Sequence, residues 1–387
     1  AAVVAGLVAG STVTAVGTEG SLPGEGAGRD VPGGLGVNPF TSLRGMLDRS
    51  GDVELFRVRG LGDEKRLLRA FTLDTYRPNE GWGLADGPMP AGVRADGALP
   101  TAPGDDGSAP HRTLRIDPVN WNDVWLPVYG SPRRLSGVAD GWFYDRASGA
   151  VFRERRTRPE PYTEVAALER PTEEELRAAG TAAGDVADVY VDDSGVDPRV
   201  RGLARRLTGS EDTVFDKVEA VWRHFRPGNG FVYDTETAPA TDRDALADFL
   251  FNGRRGYCEQ FASSMAVLLR TLDIPSRVAV GFTSGYRDGN VRTITSRDAH
   301  AWVEVYFDGI GWVTFDPTPL SDGRGSVPPY LRSESDVEDT VGPDEPDTTT
   351  SATAAPPSAG VDDPGDTATA GGGPEPGTGP WLGRVAA

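Results

Sequence analysis

Residues 253–282 read GRRGYCEQFASSMAVLLRTLDIPSRVAVGF, and residues 296–319 read SRDAHAWVEVYFDGIGWVTFDPTP. The first stretch is helical in pattern: Phe261, Ala262, Met265, Leu268, Leu269 and Leu272 recur at the three- and four-residue spacing of one helix face. Cys258, the one cysteine of the 387 residues, stands where that helix begins. A thiol there feels the positive end of the helix dipole, which favours the thiolate, and has free backbone N–H groups nearby to hold an oxyanion. Taken alone, a helical cysteine is more often an inert core residue.

The second stretch alternates. Ala301, Val303, Val305 and Phe307 point to one side of a strand, and His300, Trp302, Glu304 and Tyr306 to the other, which is a candidate cleft face. Asp308-Gly309 marks a turn, after which Trp312, Thr314 and Asp316 share a face. A loop centred on Asp308 sets residue 304 opposite 312 and His300 directly opposite Asp316, with Cβ atoms about 5 Å apart. A carboxylate at that distance accepts the imidazole N–H. Without a cysteine upstream, the bland reading is a solvated histidine opposite a solvated aspartate. With Cys258, the three side chains are the parts of a nucleophilic triad.

Working outward, the residues before Cys258 are helical. Thr172 and Glu175 suit a capping box. Asp197–Leu207 is a helix ended by Gly209, and Ser210–Phe225 another, with Ser210 as its N-cap and a buried stripe that includes Trp222. His224 reads as a surface histidine at that helix's C-terminus. Thr241–Phe251 is a third helix leading to the cysteine. Helices first and antiparallel strands second is an α+β order, unlike the alternation of a dinucleotide binder.

Residues 45–168 are a succession of six or seven short strand patterns bounded by turn residues, which predicts a β-rich, sandwich-like domain. Pro78–Pro110 interrupts them and reads as an exposed insertion. Trp82, Trp121, Trp125 and Trp142 suit either a sugar- or peptide-binding groove or, the favoured reading, core packing. The domain plan is therefore 1–44 as a membrane-proximal flexible segment, 45–168 as the β-rich domain, 169–330 as the catalytic domain and 331–387 as an acidic linker.

The net charge of −19 leaves no basic stripe to neutralise phosphates, so nucleic acid is not an expected partner. One cysteine makes neither an intrachain disulfide nor a thiolate metal cage, and His111, His224 and His300 are too scattered for a local metal motif. VYVDDSGVD and YRDGN cluster aspartates without the full spacing of a calcium loop. No cofactor is expected. The ends, AAVVAGLVAG and GPWLGRVAA, read as the borders of a loop between two membrane spans, or equally as frayed termini.

GYCEQFASSMAVLLRTLDIPSRVAVGF, DAHAWVEVYF and GWVTFDPTP resemble the three signature blocks of the transglutaminase-like superfamily, in the same order and at similar spacing across residues 188–320. That resemblance implies a papain-like α+β core in which Cys258 is the nucleophile, His300 the general base and acid, and Asp316 the residue that orients the imidazole. It also implies covalent acyl transfer on a protein or peptide amide, cell-wall peptides among the candidates. The acceptor stays open, an amine for a transglutaminase or water for a peptidase or amidase, and so does a non-catalytic binding module for cell-envelope assembly. The second oxyanion donor is open among Tyr257, Gln260 and Trp222. The wider arrangement is similar to bacterial membrane-anchored TgpA-type proteins, which implies the extracytoplasmic face of a bacterial plasma membrane and a membrane partner through the flanking segments.

Overall fold

The computed structural model describes residues 52–84, 92–168, 170–181, 186–234, 244–320, 325 and 327–331. The expectations for the flexible opening segment, the membrane borders at both ends and the acidic linker fall outside the described residues. Two antiparallel sheets organise the rest. One has five strands in the order β12-β11-β8-β2-β5, and the other has seven in the order β9-β10-β1-β4-β7-β6-β3. In chain order the strands are β1 (Glu54–Arg59), β2 (Leu68–Leu73), β3 (Gly97–Ala98), β4 (His111–Pro118), β5 (Val128–Tyr129) and β6 (Ser131–Ser136), then β7 (Tyr162–Ala167), β8 (Ser276–Phe282), β9 (Tyr286–Asp288), β10 (Val291–Thr295), β11 (Ala299–Phe307) and β12 (Gly311–Phe315). A smaller four-stranded sheet lies among residues 93–157.

The chain is mixed α+β, a β-rich N-terminal half followed by helices and then antiparallel strands. The halves are not separate in their hydrogen bonding, because the five-stranded sheet takes β2 and β5 from the first and β8, β11 and β12 from the second. The seven-stranded sheet likewise accepts β9 and β10 next to β1. Strand β2 explains why: all six of its residues are buried, so it needs cover on both faces and partners on both edges, and finds them in β8 and β5. A sandwich closed on itself within 45–168 would leave β2 unpaired on one edge.

Five helices fill the stretch between: α1 (Glu173–Ala178), α2 (Pro198–Thr208), α3 (Val214–His224), α4 (Ala245–Asp248) and α5 (Cys258–Arg270). The α1 start is the expected capping box, with the Thr172 hydroxyl accepting from Glu175 N–H at 3.2 Å and the Glu175 carboxylate accepting from Thr172 N–H at 2.7 Å. Helix α2 also starts and stops as expected, at Asp197 and Gly209. Helix α3 corrects its sequence reading: its cap is Thr213, whose hydroxyl accepts from Asp216 N–H at 3.1 Å, and Ser210 lies outside it. The first apolar residue of the stripe is Val214, so the residue just before it is the one placed to cap. Helix α4 is shorter than expected and passes into a widened turn at Phe249–Gly253.

All thirteen residues of α5 are buried, which makes it the central helix of the fold. Its apolar stripe faces the core, and its polar Ser263 finds a partner in the buried Trp82 indole N–H at 2.8 Å. At its far end the Arg270 guanidinium stacks over Trp82 at 4.6 Å and donates to the carbonyls of Ser276 and Asp74. Trp82, Trp121, Trp125 and Trp142 are all buried, so the core reading of these aromatics holds. Of the 78–110 stretch, residues 78–84 and 92–110 are described, and most are exposed or half-buried, but parts of it reach the core. It contributes Trp82 and β3, and a side chain on Gly104 would strike the Tyr306 ring, so this backbone lies directly on β11.

Candidate active site

The turn before α5 sets the nucleophile. Arg254 adopts a left-handed backbone, φ 51°, and ends the widened turn, after which Arg255–Gly256 pairs in parallel with Val232–Tyr233. Gly256 has no room for a side chain, because a Cβ there would lie 2.9 Å from Gln260 Oε1. That oxygen accepts from Tyr257 N–H at 2.9 Å, which closes the first turn of α5 from the outside and leaves Cys258 as its first helical residue. Phe225, Phe231, Phe249 and Phe261 pack ring to ring at 5.1–6.1 Å around this end of the helix. His224 joins them, 5.1 Å from the Phe231 ring. It is half-buried, and burial pushes its imidazole below the ordinary range, which corrects the surface reading.

His300 comes from β11 and Asp316 from the residue after β12. Pairing runs Val303–Phe315, Glu304–Thr314, Val305–Val313, Tyr306–Trp312 and Phe307–Gly311. The loop is therefore Asp308–Ile310, centred on Gly309, and the register differs by two residues from the one expected with Asp308 at its centre. Because side chains alternate with period two, a two-residue slip preserves the face. His300 still meets Asp316, but diagonally: His300 Nε2 lies 2.7 Å from Asp316 Oδ2. With Nε2 engaged by the carboxylate, Nδ1 is the nitrogen left for a thiol, and Cys258 is close enough to act on the His300 imidazole alongside Asp316.

Asp316 is itself held in place. Its second oxygen, Oδ1, accepts from Thr318 N–H at 3.0 Å, and its backbone carbonyl accepts from the Trp222 indole N–H at 2.7 Å. Pro317 and Pro319 stiffen this loop on either side of Thr318. Trp302 lies nearly parallel to the His300 ring, centroids 6.4 Å apart and planes at 20°. Burial alone lowers the His300 imidazole, but Asp316 and Cys258 outweigh it and raise it to about 10. An imidazolium between a carboxylate and a sulfur is the arrangement that can deliver a proton to a leaving amine.

The three expected triad residues are thus brought together. Of the candidate oxyanion donors, the Tyr257 hydroxyl is given to Glu259 and the Trp222 N–H to Asp316, whereas Gln260 Nε2 is buried without a partner. The expected cleft along His300, Trp302, Glu304 and Tyr306 is not an open one. Glu304 is locked between Arg69 at 3.0 Å and Arg277 at 2.8 Å, and all nine β11 residues are buried. Sequence reasoning missed Arg69, whose only cue was a charged residue inside a fully apolar strand pattern. It also missed the support from Trp222, although an indole N–H in a buried stripe needs an acceptor.

A buried cysteine at the start of a central helix and a His–Asp pair on an antiparallel hairpin thus stand together in a mixed α+β core. Residues 201–317 match the transglutaminase-like superfamily and residues 1–173 the TgpA N-terminal domain, so the chain is a member of the transglutaminase-like superfamily that carries a TgpA N-terminal domain. It is 44% identical over 149 residues to the uncharacterized protein YebA of Bacillus subtilis, an alignment covering 36% of this chain and 19% of that one. It is 39% identical over 123 residues to a protein-glutamine gamma-glutamyltransferase of Pseudomonas aeruginosa, covering 31% of this chain and 18% of that one. The matched stretches thus span less than a fifth of either relative. The crystal structure of the periplasmic domain of TgpA from P. aeruginosa, bound to ethylmercury, has the same fold, with a TM-score of 0.53 at 22% identity over 73% of this chain and 94% of that one.

Proposed function

We propose that the protein is a cysteine acyltransferase of transglutaminase type that acts on glutamine carboxamides of proteins or peptides outside the cytoplasm. The observation that carries this reading is the His300–Asp316 pair, Nε2 to Oδ2 at 2.7 Å, together with the influence of Cys258 on the same imidazole. Cys258 Sγ attacks the carboxamide carbon and forms a C–S bond. The C–N bond then breaks, and His300 gives its proton to the departing nitrogen, which leaves as ammonia. A primary amine attacks the thioester, returns its proton to His300 and releases the thiolate of Cys258. The free Nε2 of Gln260 and the first backbone N–H groups of α5 are the donors available for the oxyanion.

Cys258 and His300 are 0% and 1% exposed, so side chains covering the sulfur must shift before a carboxamide reaches it. The extracytoplasmic setting is supported by the likeness to a periplasmic domain. Among the described residues no helix is long and apolar enough to cross a membrane.

The test is mass spectrometry of a glutamine peptide incubated with the protein, with and without a primary amine. Amine incorporation that disappears in Cys258→Ala, by a factor on the order of a thousand or more, supports the proposal. Deamidation with no incorporation reassigns the site to an amidase, and equal turnover by the variant and the parent removes the enzymatic reading.

A further inference from the structure

A cavity of about 90 Å³ lies between the β-rich half and the β11–β12 hairpin, walled in part by Arg69, Arg277, Glu304 and Tyr144. One carboxylate serves two guanidiniums there. Arg69 Nη1 donates to Glu304 Oε1 at 3.0 Å and Arg277 Nε to Oε2 at 2.8 Å, with the three side chains 8%, 2% and 4% exposed. Arg277 also lies over Trp312, 4.0 Å from its ring. The neighbouring Arg133–Asp105 pair is balanced within itself. Glu164 acts on Arg69, but burial pushes its carboxyl up to about 8, so it carries little charge at neutral pH. The carbonyls of Gly130 and Gly149 accept from Arg69 Nη2 and that of Ala147 from Arg277 Nη1, so hydrogen bonds hold both guanidiniums while one carboxylate balances the charge of two.

Two donors point to what would match it. Arg69 Nε and the Tyr144 hydroxyl are buried with no hydrogen-bond partner, and both belong to residues that line the cavity. Buried donors left unmade cost the full loss of their hydration. A single water needs only about 10–15 Å³ of such space, so the volume suits a group of several heavy atoms. The exposed Arg146 lines the cavity too, as does Arg66, against one further carboxylate, Asp105. In a chain of net charge −19, this is a local feature that overall composition does not supply.

We propose that this cavity binds a small oxyanion, a carboxylate or phosphate group, which accepts from Arg69 Nε and Tyr144 and enters past Arg146. The site is separate from the triad: Glu304 lies four residues from His300 along β11, roughly 13 Å at the rise of a strand.

Isothermal titration of the 1–387 chain with sodium acetate and with sodium phosphate, at ionic strength matched by sodium chloride, tests it. Saturable one-to-one binding of at least one of the two is expected, and the anion that binds identifies the source of the group. Tyr144→Phe keeps the ring and removes the donor, and is expected to weaken binding about tenfold. Arg146→Ala, at an exposed position whose Nε donates to the Thr101 carbonyl, is expected to weaken it roughly two- to fivefold. Loss of affinity in either variant supports the assignment, and Arg146→Ala alone decides the matter if Tyr144→Phe does not fold. Absence of saturable binding by either anion, or unchanged affinity in the variants, overturns it.

Discussion

His300 carries the sharpest chemical expectation. Its folded value of about 10 lies above the ordinary imidazole value, so the pair with Asp316 and Cys258 stabilises the fold fully below pH about 6.5 and loses that contribution as pH rises towards 10. In Asp316→Asn the acceptor charge is gone and burial dominates, so the imidazole drops. The stability gap between parent and variant in urea is then largest in mild acid and closes by pH about 10. The alkaline limb of kcat/KM is expected to move from near pH 10 in the parent towards neutrality in the variant, with kcat lower by roughly 10²–10⁴. A limb that stays in place would show that His300 is not the proton donor. Cys258, His300 and Asp316 were legible because each sits in a local pattern, a helix start or a strand with a turn. Their meeting survived the two-residue error in register because parity alone decides the face. The role of the Trp222 N–H was not legible, since its acceptor, the Asp316 carbonyl, lies 94 residues away.

Elements differ in how much of their ends the chain announces. The α1 capping box is a reciprocal pair of side-chain and backbone bonds three residues apart, entirely local, and was readable. At α3 two hydroxyl residues compete for the same role, and Thr213 wins because it directly precedes Val214, the start of the buried stripe. Replacing Thr213 with Ala is expected to cost about 1 kcal/mol, measured by urea unfolding, whereas Ser210→Ala stays within about 0.5 kcal/mol. The reverse order would return the cap to Ser210. The 78–110 stretch shows the opposite limit. Nothing local in its Pro and Gly residues says that Gly104 lies against Tyr306 or that Trp82 reaches the central helix.

For the whole molecule, the seam between the two halves rests on Glu304. Burial alone raises its carboxyl, but Arg69 and Arg277 more than compensate and hold it below the ordinary carboxylate range. Glu304→Gln removes the charge that both guanidiniums share, though each keeps a carbonyl partner, and is expected to cost about 3 kcal/mol of unfolding free energy, read in urea with the triad residues intact. A loss below about 1 kcal/mol would mean that water reaches the seam. No local pattern predicts this contact, because Arg69 and Glu304 are 235 residues apart.

The sharing of β2 between the halves has a practical outcome as well. A fragment beginning at residue 169 keeps Cys258, His300 and Asp316 but loses the strand that covers one side of β8, whose seven residues are all buried. An apolar strand with an open row of N–H and C=O groups is a template for other chains. That fragment is expected to elute as aggregate in size-exclusion chromatography where the full chain does not, and a monodisperse fragment would refute this. The N-terminal half would then act as a built-in guard against self-association of the catalytic sheet.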